Sequence, residues 1–239
     1  MLVLAALGLG VVLVQNATTV PGKALVTPSQ PVPAGLAHGR SLGKTTAPVK
    51  LDEWEDFQCP YCDEYTLNVE PHLVSQYVTN GQLEITYHDF SFIGAESVSA
   101  AVAARCAGDQ GQFWAYMEYL FSNQGSENGG TFNQTFFDRV ADQLGLNRAT
   151  FDTCLSDPSK SSAVQAETNQ GQQLGIKGTP TFFLDGKQYS GGLDLSSISA
   201  AIDTALQSAP PSASPATSST APAPSTSPGA SQRAVPSAS

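Results

Sequence analysis

Basic residues are scarce in this chain of 239 residues. Eleven Lys and Arg face 21 Asp and Glu, and the formal charge of −10 argues against nucleic acid as a partner. Histidine is scarcer still, with only His38, His72 and His88, and of the four cysteines only Cys59 and Cys62 lie close together. A structural zinc site needs four ligands, commonly as two close pairs, so this scarcity argues against zinc, and no metal is expected. A membrane-spanning helix wants roughly 20 apolar residues. The apolar run Leu2–Val14 stops at thirteen, which is the length of a signal-peptide core. No Lys or Arg precedes it and the first basic residue is Lys23. Residues 1–15 are read as an export signal or anchor, and one explanation of the missing basic residues is a true start that lies upstream.

Residues 16–38 carry Pro and Gly throughout and read as a flexible linker. Residues 209–239 are almost wholly Pro, Ala, Ser and Thr, with Arg233 the only charge, and have too little apolar surface to offset chain entropy. A disordered tail is expected there. What lies between, roughly 170 residues, is enough for one domain, taken as 39–208.

Within that domain the pattern alternates. Val49–Phe57 reads as a strand leading into a helix that continues to about Val78, kinked at Pro71. Leu83–Tyr87 is a second strand. Helices are expected at 95–107, 113–121, 135–144, 148–155 and 162–174, within an insertion spanning about 92–174; Asn147 is a candidate cap and Gly108 and Gly145 are candidate stops. Thr181–Leu184, Asp185-Gly186 and Lys187–Tyr189 form a hairpin. A closing helix carries Leu195, Ile198, Ile202 and Leu206 on one stripe. The order β-α-β, helices, β-β-α predicts an α/β fold with a mixed sheet and an inserted helical subdomain.

Chemistry concentrates at Asp56-Phe57-Gln58-Cys59-Pro60-Tyr61-Cys62. Pro60 suits the first helical position, which puts Cys59 at the N-cap and Cys62 one turn later. Unpaired amides and the helix dipole favour a thiolate on Cys59, while Cys62 points inward and is the poorer nucleophile. Thiol–disulfide exchange requires that asymmetry. Cys106 and Cys154, 48 positions apart, form a structural bridge in one reading and two buried thiols in the other. An even number of cysteines suits an exported protein with one redox pair and one bridge. His72 is expected at the surface or in packing, and His88 in a local hydrogen bond beside Asp89. The aromatic run Phe113, Trp114, Tyr116, Tyr119, Leu120, Phe121 is expected mostly in the core, with some of it bordering a substrate groove.

Glu53–Cys62 (EWEDFQCPYC) and Gly178–Phe183 (GTPTFF), in this order and flanking a helical insertion, resemble the DsbA-like branch of the thioredoxin superfamily. Ala47-Pro48-Val49 and Gln112-Phe113-Trp114 extend the resemblance to roughly residues 39–206. It implies a thioredoxin-like fold and a protein disulfide oxidoreductase that needs no cofactor beyond a Cys59–Cys62 disulfide. Cys59 matches the exposed nucleophile and Cys62 its buried partner. Glu53 matches the acid that moves a proton to or from the buried thiol. Thr179-Pro180 matches the cis-proline loop that, with Pro60 and Tyr61, meets the substrate chain. The Pro-Tyr dipeptide, shared with glutaredoxins, replaces the Pro-His of the family's periplasmic oxidases, so Cys59 is expected to be less acidic than theirs. The implied partners are reduced or unfolded exported proteins and a quinone-linked membrane protein of the DsbB or vitamin K epoxide reductase-like kind. The implied setting is extracytoplasmic, as an anchored or secreted monomer. An exported reductase or isomerase on the same fold is the alternative, and a non-catalytic binding module the distant one.

Overall fold

The computed structural model describes residues 24–29, 32–191 and 194–209. The apolar segment 1–15, the linker as far as residue 23 and the tail from Pro210 lie outside the described residues. Among the described residues no helix is long and apolar enough to cross a membrane.

The sheet is organised around β3, at Val49–Glu55. Burial alternates at its start and becomes continuous over Glu53, Trp54 and Glu55, as expected where a strand is covered on both faces. β4 (Leu83–Asp89) runs parallel to it, with Glu53 opposite Tyr87 and Glu55 opposite Asp89. On the other side β5 (Thr181–Leu184) runs antiparallel and sets Thr181 opposite Trp54. β6 (Lys187–Ser190) completes the predicted hairpin. Its turn residues, Asp185 at φ 47° and Gly186 at φ 80°, both take the left-handed conformation that a two-residue hairpin loop demands.

Two further strands, β1 (Ala37–His38) and β2 (Ser41–Leu42), add a short antiparallel ribbon to the outer edge of β4. The sequence reading missed them, because two-residue strands carry no periodicity and Gly35, Gly39 and Gly43 read as breakers. The linker boundary at residue 38 is corrected accordingly. Leu25, Val32 and Leu36 pack against the core. Val26 donates to Asn123 Oδ1 at 2.7 Å, and Asn123 Nδ2 donates back to the Val26 carbonyl at 2.9 Å.

The long helix after the cysteines is also corrected. α1 spans Pro60–Asn68, Val69 breaks it at φ −111°, and α2 (Glu70–Leu73) starts afresh before a π-helical turn at Val74–Val78. Pro71 lacks an N–H and crowds the preceding turn, so it is accommodated in the first turn of a new helix instead of as a kink in an old one.

The insertion comprises α3 (Ala95–Gly108), α4 (Phe113–Ser122), α5 (Gln134–Gln143), α6 (Arg148–Leu155) and α7 (Pro158–Gln173). Asn133, Asn147 and Asp157 cap the last three by accepting backbone amides, each supplying an acceptor to an otherwise unpaired first turn. All six residues of the aromatic run are buried, as expected for most of it, and Trp114 also lines a cavity beside α1. Cys106 of α3 and Cys154 of α6 are joined, with Cα atoms 5.7 Å apart. Arg105 ties α3 to Asp89 at 2.6 Å and to Glu167 of α7, which also takes Arg40 at 2.6 Å. His88 bonds Glu167 at 2.9 Å and Asp52 at 3.2 Å, not Asp89, because adjacent strand residues point to opposite faces. α8 (Leu195–Ser208) closes the chain, burying Ile198 and Ile202.

Candidate active site

Cys59 occupies the N-cap of α1 with φ −76° and ψ 121°, and Pro60 takes the first turn. The Cys59 carbonyl accepts the amides of Cys62 and Asp63, both at 3.1 Å, which sets the first turn. Cys62 is fully buried, Cys59 is 5 % exposed, and Tyr61 between them is 68 % exposed. The nucleophile expected to be exposed is thus a recessed sulfur at the mouth of the site, with Tyr61 as its outer wall.

The two thiols diverge electrostatically. Cys59 is lowered from 9.0 to about 6, chiefly because the Cys62 thiol donates to its sulfur. Burial opposes this, and the Thr179 side chain and the Cys62 and Tyr61 amides add to it. Cys62 is pushed well up by burial, by its bond to Cys59 and by the field of Glu55. One thiol is poised as a thiolate and the other holds its proton.

The insertion and the loop after β4 brace this turn. Asp56 is fully buried; one oxygen accepts the Gln58 amide at 2.9 Å, and the other accepts Phe92 and Ile93 at 2.9 and 3.0 Å. Gln124, just beyond α4, donates to the carbonyls of Phe57 at 2.8 Å and Cys59 at 3.1 Å. Nothing in the sequence pattern distinguishes Gln124 from a surface glutamine. Phe92, 47 % exposed, adds apolar surface on a loop held by Asp56.

From 120 positions away, Thr179 comes over the pair. The Thr179–Pro180 bond is cis, and Cys59 Sγ lies 3.3 Å from the Thr179 carbonyl. As a thiol Cys59 donates to that oxygen. Thr179 also helps to lower Cys59, and its buried hydroxyl has no hydrogen-bond partner among the described residues.

Behind the sulfurs lie buried acids. Glu53 is fully buried and accepts the Tyr65 hydroxyl at 3.1 Å; burial and then Glu55 push it well up. Glu55 accepts the Thr66 hydroxyl at 3.3 Å and is raised by burial and by Glu70. Its field reaches both Cys59 and Cys62, so Glu55 joins Glu53 behind the pair. The sequence reading singled out only Glu53.

The thioredoxin family model matches residues 37–204. The chain belongs to the thioredoxin family. Within it this thioredoxin-family chain is DsbA-like and is a thiol–disulfide oxidoreductase. It is 26 % identical over 168 residues to the probable disulfide bond formation protein D of Bacillus anthracis, covering 69 % of this chain and 76 % of that one. The oxidised crystal structure of BdbD from Bacillus subtilis superposes with a TM-score of 0.66 at 23 % identity, over 71 % of this chain and 93 % of that one. A thioredoxin-like oxidoreductase from Silicibacter pomeroyi gives a TM-score of 0.60 at 27 % identity, over 70 % and 91 % of the two chains. The thioredoxin-family architecture accounts for the site: an N-terminal β-α-β unit carries the cysteines, a C-terminal hairpin carries the cis-proline, and the helical insertion lies between them in sequence.

Proposed function

We propose that this protein is an exported dithiol oxidase that donates the Cys59–Cys62 disulfide to reduced substrate proteins. The observation that carries the reading is the split between the two thiols, with Cys59 at about 6 and Cys62 well above 9.0. A thiolate at Cys59 stabilises the reduced pair, and a stable reduced form makes the disulfide a good oxidant. A substrate thiolate attacks Cys59 Sγ, the Cys59–Cys62 bond breaks, and Cys62 takes the electron pair. A second substrate thiolate then attacks the mixed disulfide, and Cys59 leaves as its stabilised thiolate. Tyr61, Pro60 and the Thr179–Pro180 loop form the surface on which the substrate chain lies, and Glu53 and Glu55 serve the proton on Cys62.

In this reading the apolar segment 1–15 directs the domain out of the cytoplasm. A quinone-linked membrane protein of the DsbB or vitamin K epoxide reductase-like kind takes electrons from the reduced pair, and no cofactor is needed. A reductase is the second reading, favoured by Tyr61, which adds no positive charge beside Cys59 where a histidine could. Equilibration against glutathione buffers separates them. A potential toward about −120 mV marks a disulfide donor, and one near about −270 mV marks a reductase. Loss of thiol–disulfide exchange in Cys59→Ser is expected in both, and its retention would remove both.

A further inference from the structure

Every turnover puts a proton on Cys62 and takes it off again. The mouth of the site is an unsuitable route for it: a bound substrate chain covers Cys59, Tyr61 and the cis-proline loop. The rear is different. A cavity of about 230 Å³ lies beside α1, lined by Thr66, Glu70, Pro71, Val74, Trp114 and Glu118 among others, and Thr66 is one turn beyond Cys62 on the same helix face. Thr66 faces both ways, since it lines the cavity and its hydroxyl donates to Glu55 Oε2 at 3.3 Å. Glu70 is only 6 % exposed, and its Oε2 has no hydrogen-bond partner among the described residues. Glu53 and Glu55 each leave one oxygen unpartnered in the same way. Three buried carboxyl groups with orphaned oxygens, strung between a sulfur and a surface cavity, are costly for stability alone and call for a functional explanation. The break between α1 and α2 puts Glu70 there; a continuous helix would not have been interrupted at Val69.

We propose that Cys62 exchanges its proton with bulk water through Glu55, Thr66 and Glu70 to the cavity mouth at Glu118, behind the bound substrate. This rests on the disulfide-exchange reading. When substrate thiolate opens the Cys59–Cys62 disulfide, a new S–S bond forms on Cys59 and Cys62 leaves as a thiolate. Cys62 takes the proton of the Glu55 carboxyl. Glu55 is reprotonated through the Thr66 hydroxyl, which accepts one proton and gives one up, from Glu70; Glu70 refills from Glu118 and water. Re-oxidation by a disulfide or quinone-linked partner runs the same protons outward.

The electrostatics fit this order. Glu55 is faced by Glu70, Cys59 and Cys62, and its field also reaches Tyr65 and Tyr87. Glu70 is faced by Glu53, Glu118 and Tyr65. Glu53, Glu55 and Glu70 are all raised, by burial first and then by one another, so each can carry a proton near neutrality. Glu118, half-buried at the mouth, is raised to about 7 by burial, which suits exchange with water.

The test uses the full chain and oxidised glutathione. Reduced enzyme is mixed with oxidised glutathione, and the Cys59–glutathione mixed disulfide and its resolution by Cys62 are followed by acid quench from pH 5 to 9. Glu70→Gln is expected to slow resolution at least about tenfold. Glu118→Gln, a change at the surface, is expected to remove the inflection near pH 7 and to reduce the solvent deuterium isotope effect. Alkylation of Cys59 by iodoacetamide, which moves no proton through Cys62, should hold within about twofold in both. Wild-type resolution profiles in folded Glu70→Gln and in Glu118→Gln would overturn the path, as would slowing by Asp52→Asn alone, which would place the exit on the other side of β3. Failure of the wild-type protein to form or resolve the mixed disulfide would instead remove the exchange reading, and the path with it.

Discussion

Acidification should weaken the reduced protein more than the oxidised one. Cys59 is lowered from 9.0 to about 6 in the fold, so its thiolate contributes fully above pH 9 and is lost as pH falls through 6. Linkage over that span gives about 2.7 kcal/mol at pH 8, about 1.4 kcal/mol at pH 7 and nearly nothing at pH 5. The sulfur sits at the mouth of the site, where solvent screens its interactions, and about half of each value is the figure to hold the measurement to. Oxidation removes the Cys59 thiol from the titration and leaves most other groups in place, so the difference between the two forms isolates the pair. Thermal unfolding of both forms from pH 5 to 8 should show the reduced form losing about 3–6 °C relative to the oxidised form on acidification. Thiolate absorbance of Cys59 in Cys62→Ala would report a higher midpoint, because that variant lacks the Cys62 thiol that donates first. A gap between the forms that is the same at pH 5 and pH 8 would refute the reasoning.

Gly171→Ala places a Cβ 2.6 Å from a Phe90 ring carbon and 3.0 Å from Trp54, where α7 crosses the sheet. It should lower stability by about 1–3 kcal/mol in urea unfolding, and an unchanged midpoint would mean that this packing gives way freely. Replacing Cys106 and Cys154 together by Ala opens a loop of 48 residues. The chain-entropy model sets the loss near 4 kcal/mol, with the rate of exchange at Cys59 retained, and a loss below about 1 kcal/mol would count against the model. Asp56→Ala leaves the amides of Gln58, Phe92 and Ile93 without their acceptor. A cost of about 2–4 kcal/mol and slower exchange with substrate thiols are expected, and wild-type values in both would show the brace to be dispensable.

Local chemistry was legible where one residue type decides the conformation. Pro60 after Cys59 announced a helix start with a sulfur at its cap, and Asp185-Gly186 announced a hairpin, because few residues serve those positions. The β1–β2 ribbon was hidden by its shortness. The helix break was half visible: Pro71 was noticed, but nothing in the sequence says whether a proline bends a helix or starts the next one. Glu70 was invisible as a buried acid, since a glutamate one turn past a tyrosine in a helix reads as a solvated face. Its burial brings it toward Glu53 and Glu118, seventeen and forty-eight positions away, a tertiary fact. The same holds for Gln124, whose partners Phe57 and Cys59 lie more than sixty positions away.

The 120 positions between Cys59 and Thr179 also set an order of events during synthesis. A chain read out from its N-terminus presents Cys59, Cys62 and Cys106 before Cys154 or the cis-proline loop exists, and the edge of β3 stays open until Thr181–Leu184 arrives. For the 48 residues from Cys106 to Cys154, some seconds at about 5–20 residues per second, Cys106 has no proper partner. Throughout that interval the other thiols already made in the same molecule are Cys59 and Cys62. Any link between one of these and Cys106 would have to be exchanged before α3 and α6 could be joined through Cys106 and Cys154.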